Sequence, residues 1–453
     1  MIIGKRLKGK AIATWLGPTG DAARRAMAAV KQRVSGETST RLDVYLDIAD
    51  AWSYLAAQIA DRLVRAYGVE LGVHVVTPPA SDVAPAVALR AKHAVRDAIN
   101  LCDYWDLDFP GKKEADAGIV RDVGAALIRE RPAAEQLRAA LEILPAMWVI
   151  DRKKVVALVG KYGAEAHLAV PPMLNEAYLG LRKAGHYQAA MLHFGDVWYS
   201  IDRLPALEEA LSRATGKPVA HVVAPRPLAE RGPRTLADES AKSGVLRCEM
   251  WFSFRSPYSY LALEQIEGVL AGSGLGLVLR PVLPMVARGM EMPSVKRMYI
   301  VRDAKREADR LGIPFGELCD PLGPGVDHCI AIARWAEQRG PAAALAFARS
   351  AMRGIWAEAR DMAEYVDLRF VVERANLPWE EARAALADPA PAMKWAAANA
   401  KDLEVYGLWG VPSFRVGELV VWGQDRLPLL ADRLRRHAAL PPAPPAPPAE
   451  TTA

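Results

Sequence analysis

The chain has 453 residues, of which 51% are hydrophobic and 25% charged, a composition typical of a globular protein with about two or three domains. The formal charge of +5 is small, and no basic cluster is interleaved with aromatic residues, which argues against a nucleic-acid-binding protein. Four cysteines without a C-x-x-C motif and eight histidines without ligand spacing predict neither a disulfide framework nor a metal site. The absence of a long apolar stretch predicts no transmembrane helix and no secretory signal, so a cytoplasmic location is expected.

Residues 1–40 are predicted to form a basic, helix-prone N-terminal extension. A first domain, residues 41–214, begins where residues 42–48 alternate as a strand. Asp50 then precedes a helical run that starts at Ala51. The further elements predicted in this domain are a strand at 71–76, helices at 87–105, 114–129, 133–147 and 172–183, a hairpin at 191–198, and a helix at 202–213.

Residues 215–244 are rich in proline, glycine and charge, which predicts a linker. A second domain, residues 245–437, follows, and residues 438–453 are predicted to be a disordered, polyproline-like tail. The elements predicted in the second domain are strands at 247–253 and 275–282, helices at 257–270 and 294–311, a helical block at 327–402, a hairpin of 412–416 and 419–422, and a helix at 425–437.

The second domain opens with the stretch WFSFRSPYSYLA at 251–262, which combines a buried strand, a polar turn and the first turn of a helix. Ser256 suits the N-cap position, and Pro257 suits the first helical position, where the missing N–H of proline is harmless. The Ser256 hydroxyl is therefore expected at the positive end of a helix dipole. Such a place suits an anion or a thiolate.

Short sequences recur between the two domains. S-Y-L-A at 53–56 and V-R-D-A at 95–98 return 206 residues later, at 259–262 and 301–304, and D-R-L-P at 202–205 returns at 425–428. Such repeats indicate two copies of one fold. The element order β-α-β, helical insert, β-β-α predicts an α/β protein of two tandem thioredoxin-like domains, each with an all-helical insertion, because a β-α-β unit makes parallel strands and the closing hairpin adds antiparallel ones.

Three ordered blocks of the second domain resemble a known family. They are FSFRSPYSYLA at 252–262, the segments KRMY at 296–299, RD at 302–303 and LGIPF at 311–315, and the segments GLWGVPSF at 407–414 and WGQDRL at 422–427. These blocks are similar to 2-hydroxychromene-2-carboxylate isomerases and kappa-class glutathione transferases, of the DsbA-like thioredoxin superfamily. The resemblance implies a glutathione-dependent isomerase that acts on an aromatic or unsaturated acid, with a kappa-class-like transferase as the alternative.

Redox members of this superfamily carry C-x-x-C where this sequence has Ser-Pro-Tyr-Ser at 256–259, which excludes disulfide exchange by that motif. The resemblance implies instead that Ser256 stabilises the thiolate of glutathione. Val411-Pro412 is expected to form the superfamily's cis-proline turn, in which the Val411 backbone pairs with the glutathione peptide. The family's other implied contacts are Asp425 with the glutathione α-amino group, Gln424 with its γ-glutamyl carboxylate, Lys296 with its other carboxylate, and Arg255, Tyr258, Trp409 and Trp422 with the substrate.

The sequence departs from the family pattern at Ser253, where the family commonly has Asp. The first domain departs further, because Asp50 stands at the Ser256 position and Ala190 at the Pro412 position. A carboxylate at the helix start would repel a thiolate. We interpret the first copy as degenerate at the site and kept for packing or as a covering partner; the alternative is a changed activity with Asp50 or Asp47 as a base.

Two classes of function stay open at this point. The first is a glutathione-dependent enzyme whose partners are glutathione and a small aromatic or unsaturated substrate, with neither nucleic acid nor membrane. The second is a non-catalytic thioredoxin-like module that binds a peptide or an oxidoreductase along the Pro412 edge. A homodimer, or an intrachain pseudo-dimer of the two domains, is expected in either case.

Overall fold

The computed structural model describes residues 40–234, 236 and 246–438. The predicted N-terminal extension (1–40) and proline-rich tail (438–453) lie outside these residues except for one residue each, and the predicted linker (215–244) lies partly outside them. Within the described residues, no helix combines the length and the apolar character needed to cross a membrane.

The first domain contains a four-stranded sheet with the order β2-β1-β3-β4. Its central strand, β1 (Arg41–Leu46), pairs in parallel with β2 (Glu70–Val75) and antiparallel with β3 (Met191–Phe194). Strand β4 (Val197–Ser200) continues the hairpin from β3. Helix α1 (Ala51–Tyr67) connects the two parallel strands, as the sequence pattern predicts.

Helices fill the connection between β2 and β3. They are α2 (Val87–Tyr104), α3 (Ala117–Leu127), α4 (Ala133–Trp148), α5 (Arg152–Tyr162) and α6 (Val170–Lys183), and after β4 a 3₁₀ turn (Ile201–Arg203) leads into α7 (Leu204–Thr215). The sequence patterns predicted all of these except α5. That helix buries only Val155 and therefore shows no apolar face, although the Asp151 side chain caps it by accepting a hydrogen bond from the Lys154 N–H at 2.9 Å.

The second domain has the same strand order in its own sheet, β6-β5-β7-β8. Strand β5 (Arg247–Phe252) pairs in parallel with β6 (Gly276–Pro281) and antiparallel with β7 (Ser413–Val416), which continues into β8 (Leu419–Trp422). Strands β1 and β5 show the same burial pattern, with their second, fourth, fifth and sixth residues buried. A central strand that buries consecutive residues is covered on both faces of its sheet.

Helices again fill the connection to the closing hairpin. The short α8 (Leu228–Arg231) lies in the predicted linker, and the helices of the second domain are α9 (Pro257–Leu270), α10 (Ser294–Leu311), α11 (Pro324–Gln338), α12 (Pro341–Ala357), α13 (Tyr365–Arg374), α14 (Trp379–Ala384), α15 (Ala390–Val405) and α16 (Leu427–Ala438). The predicted helices at 257–270 and 294–311 have the observed bounds. The predicted last helix, 425–437, begins instead with a 3₁₀ turn, Gln424–Arg426.

The described part of the predicted linker contacts both domains. Arg226 donates from Nε to the Cys102 and Trp105 carbonyl oxygens, at 3.2 and 2.8 Å, at the C-terminal end of α2. Arg231 forms a bidentate ion pair with Asp432 on α16, at 2.6 and 2.7 Å. This segment is therefore held against the two domains rather than extended between them.

Two reciprocal ion pairs join the domains. Arg203 of the first domain donates from Nε and Nη2 to Asp303 of the second, with the shortest distance 2.6 Å. Arg426 of the second domain donates in the same way to Asp97 of the first, at 2.8 and 2.6 Å. All four side chains are buried. Bidentate geometry of this kind is what a guanidinium and a carboxylate need to offset the loss of hydration.

The recurring sequences account for this interface. The aspartates belong to the two V-R-D-A segments and the arginines to the two D-R-L-P segments. Within each domain the aspartate also accepts a hydrogen bond from the start of the first helix, from Trp52 Nε1 at 2.8 Å or from the Tyr258 hydroxyl at 2.7 Å. The serine of each S-Y-L-A segment accepts a hydrogen bond from the backbone N–H of residue 47 or 253.

Candidate functional site

Ser256 caps helix α9 as predicted. Its Oγ accepts a hydrogen bond from the Ser259 N–H at 3.2 Å, and Pro257 occupies the first helical position. The Ser256 O–H lies 3.5 Å from the Val411 carbonyl oxygen, which is the outer limit for a hydrogen bond. The Ser256 hydroxyl is therefore only weakly bound to this carbonyl and can donate a hydrogen bond to an anion placed beside the helix N-terminus.

The Val411–Pro412 peptide bond is cis, which confirms that prediction. The Pro412 carbonyl accepts a hydrogen bond from the Gly423 N–H at 2.8 Å, and Ser413 then opens β7 opposite Trp251. The cis turn thus lies at the end of the central strand, beside Ser256.

One cavity of about 310 Å³ brings most of the predicted site residues together. This volume is at the lower end of the range of about 300–1,000 Å³ for small-molecule sites. The Trp409 and Trp422 ring centroids lie 4.8 Å apart in its wall. The predicted residues that line the cavity are Arg255, Ser256, Tyr258, Lys296, Trp409, Val411, Pro412, Trp422 and Asp425.

Ser253 also lines this cavity, and the sequence patterns did not single it out as a site residue. Its side chain is buried, and its Oγ has no hydrogen-bond partner within the described residues. A buried hydroxyl without a partner is unfavourable unless a ligand or water satisfies it. The sequence signals were a polar residue at the end of a buried strand and the departure from the family pattern at this position. The cavity wall therefore contains two serines, three residues apart.

The cations around the cavity differ in how fully they are paired. Arg255 is bound through Nε and Nη2 to Asp320, at 2.7 and 2.8 Å. Lys296 donates from Nζ to the Val83 carbonyl oxygen of the first domain at 2.7 Å. Burial lowers the pKa of Lys296 to about 8. The ammonium has two further protons, so Lys296 can still bind an anion.

The positions of Asp425 and Gln424 differ from what the resemblance implies, because Asp425 is already ion-paired and Gln424 lies outside the cavity. Asp425 lines the cavity but is ion-paired with Arg203 of the first domain. Burial and then the neighbouring Asp202 carboxylate raise the pKa of Asp425, against the opposing effect of Arg203. Gln424 does not line the Ser256 cavity, but a second one of about 260 Å³. Its Nε2 donates to Asp425.

The first domain has no equivalent of the Ser256 site. Asp50 precedes α1 without a side-chain capping bond, and its carboxylate pairs with Arg90 at 3.1 Å. Burial and the nearby Asp50 carboxylate raise the pKa of Asp47 to about 7. Ala190, with a φ of 58°, occupies the register position of Pro412, because each precedes the strand residue that faces β1 or β5.

The described residues fit the thiol end of glutathione better than its amino end. Ser253 and Ser256 line the cavity beside the cis-proline turn, and the Ser256 hydroxyl is only weakly bound to the Val411 carbonyl oxygen. At the amino end, Asp425 would have to share its carboxylate between an ammonium and Arg203. Across the described chain, no cluster of three or more His, Cys, Asp or Glu side chains is arranged to hold a metal ion.

Comparison with known proteins identifies the second domain. Residues 247–435 match the family model of the DSBA-like thioredoxin domain, so this half of the chain is a DsbA-like thioredoxin domain. A 2-hydroxychromene-2-carboxylate isomerase from Sphingobium xenophagum is 26% identical over 194 residues, which cover 41% of this chain and 96% of that protein.

Solved structures of related proteins show similarity over the same share of the chain. A 2-hydroxychromene-2-carboxylate isomerase is 22% identical, with a TM-score of 0.37, over 42% of this chain and 95% of the other. A probable DsbA oxidoreductase from Streptomyces coelicolor is 22% identical, with a TM-score of 0.37, over 44% of this chain and 93% of the other. The cytosolic disulfide reductase DsbM from Pseudomonas aeruginosa, solved with glutathione, is 18% identical, with a TM-score of 0.33, over 43% of this chain and 96% of the other.

Proposed function

We propose that the DsbA-like domain binds glutathione in the Ser256 cavity and catalyses a glutathione-dependent isomerisation of an aromatic or unsaturated acid. The observation that carries this proposal is the Ser256 hydroxyl at the start of α9, next to the cis Val411–Pro412 bond and the unpartnered Ser253 Oγ. The similar protein from Sphingobium xenophagum, at 26% identity, is a 2-hydroxychromene-2-carboxylate isomerase.

Glutathione would supply a thiolate that adds to an electrophilic carbon of the substrate and leaves after bond rotation or ring rearrangement. The Ser256 hydroxyl donates a hydrogen bond to the thiolate, and the N-terminal dipole of α9 favours the negative charge. Ser253 provides a second hydroxyl in the same wall. The Val411 backbone, beside cis Pro412, pairs with the tripeptide. These groups lower the thiol pKa without becoming charged themselves.

The other predicted residues bind the substrate and the two ends of glutathione. Trp409 and Trp422 present aromatic faces to a planar substrate. Tyr258 orients its ring through the hydrogen bond from its hydroxyl to Asp303. Lys296 attracts a carboxylate into the cavity. Arg255 lies at the cavity wall, although Asp320 occupies two of its donors. Asp425 lines the cavity and meets the amino end of glutathione, whereas Gln424 lies outside the cavity and acts only through its hydrogen bond to Asp425.

A kappa-class-like transfer is the alternative outcome of the same site. Both reactions begin with the stabilised thiolate and differ in whether the carbon–sulfur bond is broken again. Product analysis separates them, because an isomerase regenerates glutathione and a transferase consumes it.

We also infer that the chain is a tandem duplication of thioredoxin-like domains, which form an intrachain pseudo-dimer. The shared strand order, the recurring sequences and the reciprocal arginine–aspartate pairs support this proposal. A cytoplasmic location would suit a glutathione-dependent enzyme. Cys102, Cys248 and Cys329 form no disulfide, which agrees with a reducing compartment.

Isothermal titration calorimetry with glutathione on the full chain tests the proposal. We expect saturable binding that weakens about tenfold in Ser256→Ala, the effect of one hydrogen bond to a charged group. Ser253→Ala should weaken binding by a smaller factor. Ser212→Ala is the matched control, because Ser212 donates to the Lys217 carbonyl at the end of α7 and does not line the cavity. An absence of heat at millimolar glutathione would refute the proposed function.

A further inference from the structure

We propose that Arg90 of the first domain binds the carboxylate of the acidic substrate, so that both domains build one composite site. This inference deepens the proposed function and rests on it for the reaction, though not for the binding of an acid. It gives the first domain a role in specificity: the second domain holds the thiol, and the first holds the carboxylate.

Arg90 is placed in the Ser256 cavity by two contacts within its own domain. It lies in the first turn of α2 and lines the cavity together with Trp52, Tyr187 and Ala190. Its Nη2 donates to Asp50 Oδ2 at 3.1 Å, and its guanidinium carbon lies 5.2 Å from the centroid of the Trp52 ring. An ion pair on one edge and an aromatic face on the other fix the plane of the guanidinium.

Arg90 is the least engaged of the arginines that line the cavity. Of its five N–H donors, Asp50 takes one, and the described residues offer the side chain no other acceptor. Arg255 is engaged in a bidentate pair, and Arg288 donates to the Trp409 carbonyl oxygen and to Glu404. Arg203 and Arg426 each bind two aspartates. Among these arginines, the guanidinium of Arg90 is therefore best able to bind a planar carboxylate through two hydrogen bonds.

Asp50 explains why this cation is presented to the cavity. It is buried at the start of α1, at the position that Ser256 holds before α9. A carboxylate already occupies this helix N-terminus, so the first domain does not offer it to an exogenous anion. The carboxylate instead holds Arg90 in place. Arg90 corresponds in the sequence repeat to Lys296, and both line the cavity.

The test uses trans-cinnamate as a planar unsaturated acid and cinnamamide as its uncharged counterpart, each titrated by calorimetry into the full chain without glutathione. Removal of Arg90 alone would leave Asp50 buried without a counter-charge. The test variant is therefore the double substitution Asp50→Asn with Arg90→Met, and the control is Asp50→Asn alone. We expect cinnamate to bind the wild type and the control, and to bind the double variant about 10- to 100-fold more weakly.

Cinnamamide should bind all three proteins weakly, and glutathione should bind all three equally. Equal cinnamate affinity in the wild type and the double variant would overturn the inference, as would cinnamate binding no tighter than cinnamamide. A loss of cinnamate affinity only in Lys296→Met would also overturn it. If glutathione fails to bind the wild type while cinnamate behaves as expected, the proposed function fails and the carboxylate site of Arg90 stands.

Discussion

Replacement of Asp303 by asparagine should destabilise the protein strongly. Asp303 is buried between the domains, where it accepts hydrogen bonds from Arg203, Arg306 and Tyr258. Burial acts to raise the pKa of Asp303, but the charges of Arg203 and Arg306 outweigh it and lower the pKa to about 2. The substitution keeps the shape of the side chain and removes its charge, which leaves Arg203 buried with only Asp425 and the more distant Glu307 to balance it.

Two effects set the loss of unfolding free energy in Asp303→Asn. A fall in pKa from 3.8 to about 2 corresponds to about 2 kcal/mol of stabilisation at neutral pH, which is present above pH 4 and lost as the pH falls toward 2. Breaking a buried ion pair from one side costs about 3–5 kcal/mol, because the remaining charge stays uncompensated. For a domain of this size the second figure lowers the melting temperature by about 6–20 °C.

Differential scanning calorimetry of the full chain measures this effect. Asp97→Asn is the symmetric variant, because Asp97 binds Arg426 in the same way, and it should lose a similar amount. Glu373→Gln is the control: its pair with Arg369 is exposed, so the change should stay within about 0.5 kcal/mol. A loss below about 1 kcal/mol in Asp303→Asn would refute the view that these pairs hold the domains together.

Two further predictions concern pH. Because the pKa of Lys296 is about 8, its positive charge is lost above that pH. Calorimetry with S-methylglutathione should therefore show weaker binding at pH 9 than at pH 6.5. Lys296→Arg should abolish this difference in affinity. Equal pH dependence in both proteins would exclude Lys296 as the anion contact. Because the pKa of Asp47 is raised to about 7, its contribution to stability falls as the pH rises from about 4 to 7. Asp47→Asn should therefore raise the free energy of unfolding in urea more at pH 8 than at pH 4, and an equal change at both would contradict the assignment.

Local signals predicted much of the second domain. Ser256 and Pro257 mark the start of α9, and Gly312 in the left-handed conformation ends α10, so both helices have the predicted bounds. These signals act within a few residues and can be read from the sequence. The recurring segments likewise predicted two sheets with one strand order.

Contacts between distant parts of the chain could not be predicted. Arg203 and Asp303 are 100 residues apart, and Arg426 and Asp97 are 329 apart, so only the packing of the domains reveals their pairing. The same packing ties Asp425 to Arg203, which the family resemblance did not anticipate. It also brings first-domain side chains into the Ser256 cavity. The cavity is therefore built by both domains, although the residues proposed to bind the thiol lie in one.

If Ser256 stabilises the thiolate of glutathione, the pKa of the bound thiol must fall, and this pKa can be measured. Thiolate absorbance near 240 nm can be followed against pH with saturating protein, and a cysteine thiol ordinarily titrates at about 8.5. We expect the bound thiol to titrate at least about one pH unit lower in the wild type, and Ser256→Ala to reverse most of that shift. An unshifted pKa in the wild type, or the same lowered pKa in Ser256→Ala, would contradict the role of Ser256.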